Sequence, residues 1–353
     1  MKYKSFVITV LSIISAGIIT VCSFIYYIDP LWIFGTSHEY NDVQIAPNER
    51  HQKMNAIRFQ PFEYDTLLLG SSRSTYIDQN EFKNMDVYNF SVANISVREY
   101  NAFIEYAKER RGKEFETIII GLDFFKTSID QSSVPGSLDT YANQINEPFF
   151  RAKSLFSLKT LSYAIDNFKL SYNNSIVHLR TYDRDNVAQS VIQDYESVKQ
   201  QTEEKIIRFK EVFYGDSYEY NPDYTLYLEE LKTNNPNTKF IIFTTPISTP
   251  LFEALVESGR LPDYNRWIMD VVSVFGEVHN FMYPNSFTDD LTNYFDGHHF
   301  YPHAAKLIAK SLNGERLESH PDFGVVVTPD NAEEHLATIK RSSQKFLAIE
   351  STE

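Results

Sequence analysis

Apolar and polar positions follow one another along the chain in a pattern that predicts strands alternating with helices. Apolar runs with the length of buried strands occur at residues 65–70, 87–92, 117–121, 240–244 and 278–282, and a last strand is expected from residue 323. Patterns that predict amphipathic helices occur at residues 97–111, 264–274 and 301–312. This order predicts an α/β fold, a three-layer, flavodoxin-like arrangement around a parallel sheet. Ligands bind such sheets at the carboxyl ends of the strands, so chemistry is expected in the segments that follow the strands.

The longest apolar stretch precedes all of these elements. Residues 6–28 contain no charged side chain, and as a helix they span about 34 Å, enough to cross a hydrocarbon core about 30 Å thick. A cleaved signal peptide is the competing interpretation, but its apolar region is shorter and a small-residue cleavage site follows it. Lys2 and Lys4 precede the stretch, and positive charge favours the cytoplasmic side. We therefore expect a single-pass transmembrane anchor with its N-terminus in the cytoplasm and the rest of the chain outside.

The stretch between the third and fourth predicted strands is too long for one crossover connection. It has helical patterns near residues 151–169, 192–213 and 222–233. We expect residues 126–237 to form a mainly helical insertion that acts as a lid or docks a partner. The predicted organisation is then an anchor over residues 1–30, a connecting segment over 31–60, an α/β domain formed by 61–125 and 238–353, and this insertion.

Composition excludes several classes of protein. The 353 residues carry a net charge of −14, and an acidic chain lacks the basic face that nucleic-acid binding requires. Cys22 is the one cysteine, which excludes a disulfide framework and a cysteine-based zinc cluster. Because Cys22 lies in the apolar stretch, covalent catalysis elsewhere in the chain would need an oxygen nucleophile. The sequence suggests no cofactor.

Two motifs at predicted strand ends contain the residue types of nucleophilic catalysis. Gly70-Ser71-Ser72 directly follows the first strand, where a serine hydroxyl and its own N–H are exposed at the edge of the sheet. A turn that caps a helix is the alternative interpretation. Asp296 precedes His299 by three residues, so its carboxylate can orient the imidazole. His298 and His303 leave open a metal site formed with these two residues.

Two more segments, residues 89–96 and 121–125, follow the second and third strands. With these four motifs the chain resembles the SGNH (GDSL-type) hydrolases, in the membrane-anchored branch found with cell-envelope O-acylation systems. The resemblance covers roughly residues 60–125 and 238–312 and implies a Ser-His-Asp triad. Ser72 would be the nucleophile, His299 the general base and Asp296 its orienting carboxylate.

The resemblance also implies that Gly70, Asn89, Asn94 and Asp123 bind the oxyanion or the substrate. Asn94 departs from the family pattern because it stands where the family has a glycine. Asparagine tolerates left-handed backbone conformations, so its N–H is still expected to donate. Asp123 stands where the family has an asparagine, and an ionised carboxylate repels an oxyanion. An aspartate at this position leaves three possibilities open: Asp123 is protonated, a third donor comes from elsewhere, or hydrolysis is slow.

The sequence therefore predicts a bacterial membrane-anchored acyl esterase or O-acyltransferase, which acts outside the cytoplasm on an acylated glycan of the cell envelope or another acyl ester. A membrane-bound O-acyltransferase is a partner that the resemblance implies. The alternative hypothesis is a non-catalytic component that binds glycan or serves as a scaffold in a membrane O-acylation complex. A short Ser72–His299 distance would favour the enzyme. The literal Gly215-Asp216-Ser217 follows a charged helical stretch and no strand, so Ser217 is not expected to be the nucleophile.

Overall fold

The computed structural model describes residues 2–134, 137–176 and 180–350 and has a mixed α/β fold. Within these residues the central sheet has six strands in the order β2-β1-β3-β6-β7-β8, and all neighbouring pairs are parallel except β7 with β8. The strands are β1 (Thr66–Gly70), β2 (Val87–Asn89), β3 (Thr117–Leu122), β4 (Thr181–Tyr182), β5 (Ala188–Gln189), β6 (Lys239–Thr244), β7 (Val278–Asn280) and β8 (Val325–Val327). β4 and β5 form a separate antiparallel pair. The predicted α/β class with a largely parallel sheet is confirmed.

Helices flank the central sheet and precede it. The α-helices of the described residues are α1 (Lys2–Ile28), α2 (Glu49–Phe59), α3 (Tyr100–Arg111), α4 (Leu138–Ile145), α5 (Phe150–Leu155), α6 (Leu158–Tyr172), α7 (Tyr195–Arg208), α8 (Tyr224–Asn234), α9 (Thr249–Glu257), α10 (Leu261–Phe275), α11 (Pro302–Leu312) and α12 (Ala332–Glu350). Asp194 caps α7 by accepting from the N–H of Ser197, and Gly276 ends α10 in the left-handed conformation. α7 continues into a π-helical turn, Phe209–Phe213.

Contacts divide the chain into two compact units. The first comprises Met1–Phe62 and Gly136–Val191, and the second comprises Glu63–Pro135 and Ile192–Glu353. The predicted connecting segment, 31–60, lies in the first unit and contains α2, a helix that the sequence analysis did not predict. The predicted insertion, 126–237, is divided between the units, because α7 contacts α9 of the second. A lid or docking role for that insertion stays a prediction.

In the first unit, α1 is long and apolar enough to cross a membrane. An 18-residue stretch of its segment Tyr3–Ile28 has a mean hydropathy of 2.3, and 6% of that stretch is buried. The last turns are different, because Ile25 and Ile28 are buried together with Ala164 of α6. The end of α1 therefore belongs to the core of the first unit, while most of its length is exposed.

Asp29 fastens the end of α1 to the rest of this unit. Its buried carboxylate accepts hydrogen bonds from the backbone N–H groups of Ile33, Phe34 and Gly35. The same carboxylate forms an ion pair with Arg184 at 2.9 Å. The chain thus turns sharply after α1 and is held there by four contacts to one side chain.

In the second unit, the central strands are buried on both faces. Every residue of β1 is buried, as expected for a parallel strand covered by helices. Gly70 of β1 pairs in register with Gly121 of β3. A Cβ atom on either glycine would overlap the hydroxyl of Ser74, so only glycine lets the turn after β1 approach the sheet this closely.

Candidate active site

Ser72 lies in the turn that follows β1, at the carboxyl edge of the sheet. The turn leads into a 3₁₀ helix, Ser74–Tyr76. It is fixed by hydrogen bonds from the Ser74 N–H to the Ser71 carbonyl and from the Thr75 hydroxyl to the Ser72 carbonyl, at 3.0 and 2.6 Å. Ser71 and Ser74 are buried, whereas Ser72 is half-buried. The turn therefore leaves Ser72 partly accessible to solvent, while Ser71 and Ser74 are buried beside it.

A chain of hydrogen bonds links Ser72 to His299 and Asp296. The distance from Ser72 Oγ to His299 Nε2 is 2.9 Å, and the distance from His299 Nδ1 to Asp296 Oδ2 is also 2.9 Å. Both are distances of direct hydrogen bonds. The structure thus brings together the three residues that the sequence analysis singled out, in the order nucleophile, base and orienting carboxylate.

The Asp296 carboxylate is buried among four donors. The backbone N–H groups of His298 and His299 donate to Oδ1 at 3.0 and 2.6 Å. The His299 ring and the Lys205 ammonium contact Oδ2 at 2.9 and 2.8 Å. Burial disfavours the charged form of Asp296, but His299 and Lys205 outweigh it and hold the pKa of Asp296 well below its ordinary value. Asp296 is therefore a carboxylate at neutral pH.

Helix α7, which contains Lys205, packs directly on the turn that contains Asp296. A Cβ atom on Gly297 would lie 2.6 Å from Thr202 Cγ2, and Gly297 has a left-handed φ of +68°. Only glycine satisfies both conditions without strain. The π-helical turn Phe209–Phe213 follows α7, and such turns occur frequently at functional sites. One helix therefore fixes the turn and contributes a cation to its carboxylate.

A pocket of about 170 Å³ opens beside Ser72 and His299. Since one water occupies about 30 Å³ of liquid, this volume corresponds to about six waters and suits a small ligand. The walls are formed by Ser71, Ser72, Asn94, Phe125, Lys205, Arg208, Phe209, Phe213, His298 and His299. The exposed Arg208 guanidinium lies 5.8 Å from the centre of the Phe213 ring. The pocket thus combines aromatic surface with positive charge.

Asn94 has the backbone conformation that the sequence analysis required of it. Its φ is +57°, in the left-handed region. Its side-chain oxygen accepts a hydrogen bond from Lys126 Nζ at 2.5 Å. Within the described part of the chain, neither the Asn94 N–H nor the Ser72 N–H donates to another protein group. Both are therefore available to an oxyanion at the pocket.

Asp123 lies outside the pocket and is paired with a buried cation. Among the described residues it is not part of the pocket wall, and it is buried. Its Oδ1 atom accepts from Arg73 Nη2 and from the Thr245 hydroxyl, each at 2.5 Å. Arg73 directly follows Ser72 and is itself 1% exposed. The negative charge is thus paired beneath the turn, an arrangement that the sequence analysis did not consider.

Gly70 and Asn89 support the turn from beneath. Gly70 is required by the close approach of Ser74. The buried Asn89 amide donates to the carbonyls of Ser74 and Ile77 at 3.0 and 2.9 Å, and its oxygen accepts from the Ser91 N–H. In this structure both residues hold the loops around Ser72 and neither forms part of the pocket wall described above.

The histidines near the site do not converge as metal ligands. Across the described ranges, no group of three or more His, Cys, Asp and Glu side chains is arranged to hold a metal ion. The His298 ring lies 4.9 Å from that of Phe209, and burial, together with the charge of Arg73, holds the pKa of His298 well below its ordinary value. His303 stacks on Tyr301 instead. The metal alternative therefore has no geometry to support it.

Sequence reasoning missed three cations at this site. Arg73 carried a usable signal, because it follows Ser72 directly and a buried arginine needs an acidic partner. For Lys205 and Arg208 the sequence gives no such signal beyond a helical pattern, because no local spacing relates these residues to Asp296. Their place depends on the docking of α7 against the turn at Gly297.

Comparisons with known proteins add little to this site. No family profile and no curated protein matches the chain. A solved structure from Streptococcus pneumonia, provisionally described as a platelet activating factor, aligns with 74% of this chain and 89% of its own, at 10% identity and a TM-score of 0.34. The proposal below therefore depends on the residues of the site.

Proposed function

We propose that this protein is a membrane-anchored acyl esterase or O-acyltransferase of the SGNH type, which acts outside the bacterial cytoplasmic membrane on an acylated envelope glycan or a related acyl ester. The observation that carries the proposal is the 2.9 Å contact between Ser72 Oγ and His299 Nε2, with Asp296 on the far side of the ring. A non-catalytic glycan-binding or scaffold component needs no such contact, so the geometry favours the enzyme.

In the proposed reaction, Ser72 Oγ bonds to the acyl carbonyl carbon while its proton passes to His299 Nε2. The carbonyl oxygen becomes an oxyanion, to which the N–H groups of Ser72 and Asn94 donate. The imidazolium gives its proton to the departing alkoxide as the ester C–O bond breaks. Water or a glycan hydroxyl then attacks the acyl carbon, loses its proton to His299, and Ser72 leaves with a proton.

The pairing of Asp123 with Arg73 supports this reaction. An unpaired carboxylate near the oxyanion would oppose it, and the loss of one donor costs on the order of 10²–10³ in turnover. The ion pair places the charge of Asp123 against a guanidinium at 2.5 Å. The oxyanion would then depend on two backbone donors with the positive charge of the pocket nearby.

Retention of α1 as an anchor is part of the proposal. Ile25 and Ile28 belong to the core of the first unit, and Asp29 is bonded to it by its carboxylate. Removal of α1 as a signal peptide would take away part of that core. Full-length protein should stay with membranes in alkaline carbonate, and its mass should include α1.

The test of the catalytic role is labelling with a fluorophosphonate, which reacts with activated serines. We expect the wild type to label, Ser72→Ala to lose labelling, and Ser217→Ala to label normally, because Ser217 is exposed on a loop and serves as the matched control. Equal labelling of Ser72→Ala and the wild type would remove Ser72 as the nucleophile.

A membrane-bound O-acyltransferase remains the proposed partner. Acyl transfer would be distinguished from hydrolysis by the fate of a labelled acyl group. A transferase passes it to added glycan hydroxyls faster than to water.

A further inference from the structure

We infer that residues 149–158 (the interfacial segment), which contain α5 and the start of α6, lie in the lipid bilayer beside α1, in the leaflet nearest Ile28. The inference rests on the part of the proposed function that makes α1 a retained anchor. It does not depend on the chemistry at Ser72.

The interfacial segment lies against the middle of α1 and not only against its end. Residues 155–158 and five α1 residues between Ile14 and Cys22 enclose a shared cavity of about 380 Å³. Cys22 Sγ lies 3.4 Å from the carbonyl oxygen of Leu155. At about 1.5 Å per residue, Cys22 is about 9 Å and Ile14 about 21 Å from the helix end at Ile28. If α1 spans the bilayer, whatever packs on these residues enters the bilayer too.

The interfacial segment exposes large apolar side chains beside the cations Arg151 and Lys153. Phe149, Phe156 and Leu158 are 81%, 67% and 83% exposed. Burial of one such side chain is worth about 1.5–3 kcal/mol, so leaving three of them in water together is unfavourable. Acyl chains beside α1 would cover them without a protein partner.

Polar groups of the turn between α5 and α6 are hydrogen-bonded within these two helices, as a lipid environment requires. The Ser154 hydroxyl donates to the Arg151 carbonyl at 2.7 Å. Ser157 caps α6 by accepting from the Thr160 N–H at 3.2 Å. The Phe156 N–H donates to the Lys153 carbonyl at 3.2 Å. The turn between α5 and α6 can therefore leave water at little cost.

The charge of this region matches an anionic bilayer surface. Residues 150–172 contain four basic side chains, Arg151, Lys153, Lys159 and Lys169, against Asp166, in a chain of net charge −14. Lys153 is paired with Glu147 at 3.0 Å, and the Arg151 guanidinium lies 5.3 and 5.6 Å from the centres of the Phe34 and Phe59 rings, so Lys159 and Lys169 are the cations expected to face phosphates. Long basic side chains reach the headgroups while their stems stay in the apolar layer. Apolar side chains flanked by cations are the pattern of an interfacial helix.

The test places the full chain in vesicles of phosphatidylethanolamine and phosphatidylglycerol. In a Cys22→Ala background, single cysteines at Phe156 or Leu158 carry an environment-sensitive nitrobenzoxadiazole label. Ile192→Cys, which is 75% exposed in the second unit, is the matched control. We expect lipids with a doxyl group on the acyl chain to quench most of the fluorescence at 156 and 158, and aqueous iodide to quench the control.

Iodide quenching at 156 and 158, with α1 still resistant to carbonate extraction, would overturn the inference and point to a protein partner for this face. Doxyl quenching of the Ile192 control to the same extent would overturn it as well, because the label alone would then enter the bilayer.

Cys22→Ala removes the contact to Leu155. For that reason benzoylphenylalanine at Phe156 in the otherwise native chain provides a second measurement, with lipid cross-links expected and their absence contradicting the inference. Fluorophosphonate labelling of Ser72 reports the proposed reaction independently.

Discussion

Lys205 places a positive charge on the carboxylate that orients His299. Its ammonium and the imidazole share the same oxygen of Asp296. A carboxylate partly neutralised in this way stabilises an imidazolium less than a free one does. Lys205 therefore acts on His299 through the carboxylate that both side chains contact, and we expect it to be a positioning residue with an electrostatic effect.

We predict that Lys205→Met lowers kcat/KM for ester hydrolysis by about tenfold, because the buried Asp296 carboxylate loses the cation that contacts its Oδ2 atom. Lys205 is one of the groups that hold the pKa of Asp296 below its ordinary value, so the loss should grow as the pH falls. Rates of ester hydrolysis across the pH range measure it. Lys205→Arg keeps the charge and should retain most of the activity. Equal losses in Lys205→Met and Lys205→Arg would mean that the charge of Lys205 is not what matters.

Asn94 allows backbone conformation to be tested apart from side-chain chemistry. Asn94→Gly and Asn94→Ala both lose the contact to Lys126, but only glycine adopts a φ of +57° freely. Left-handed backbone costs alanine about 1–2 kcal/mol. We predict near-wild-type kcat for Asn94→Gly and a loss of about tenfold for Asn94→Ala, measured by ester hydrolysis. Equal losses in both variants would show that the side chain is what matters.

At the scale of elements, the pair of Arg73 with Asp123 joins the turn after β1 to the end of β3. We predict that Asp123→Asn, although it introduces the residue of the family that the sequence resembles, lowers the free energy of unfolding by about 3–5 kcal/mol, because the buried Arg73 guanidinium loses its ion pair. Denaturant unfolding in detergent measures this. The double variant Arg73→Met/Asp123→Asn should recover much of the loss. Faster hydrolysis in Asp123→Asn with unchanged stability would contradict the structural role.

The elements that the sequence predicted best are the buried parallel strands. The runs at 65–70, 117–121 and 240–244 correspond closely to β1, β3 and β6, because a strand covered on both faces is apolar throughout. The strand expected from residue 323 exists as β8 but runs antiparallel, which no periodicity distinguishes. α2 was missed because its pattern is polar, and even so it buries Lys53 and Asn55.

At the candidate site, too, some residues could be predicted from the sequence and others could not. Ser72, His299 and Asp296 could be predicted because the serine directly follows a buried strand and the carboxylate precedes its histidine by three residues. Lys205 could not be predicted, since its contact with Asp296 arises from the docking of one helix on a distant turn. Local spacing predicts local partners, and packing determines the rest.

The stability of the whole protein depends on pH through a buried lysine, Lys53, in the first unit. Lys53 is fully buried, its ammonium lies 5.1 Å from the centre of the Tyr182 ring, and burial, despite Glu49 nearby, lowers its pKa to about 7. The unfolded chain binds this proton up to about pH 10. Between those values the unfolded state holds a proton that the folded state lacks, so stability rises with pH.

We predict that Lys53→Met raises Tm at neutral pH and that this gain shrinks near pH 9.5, where the wild-type amine is already neutral when folded. The gain corresponds to roughly 1–3 kcal/mol. Thermal unfolding of the full chain in detergent at the two pH values measures it. A gain that grows with pH would contradict the assignment.

In the proposed anchored arrangement, the contacts of Asp29 make α1 and the first unit move together. Four contacts to the Asp29 carboxylate restrain the rotation of α1 relative to the first unit. The 23 uncharged residues at 6–28 extend about 34 Å, more than a hydrocarbon core of about 30 Å, and a span that is too long relieves the mismatch by tilting. Any tilt of α1 is then a tilt of the first unit, so the thickness of the membrane sets the orientation of that unit relative to the bilayer.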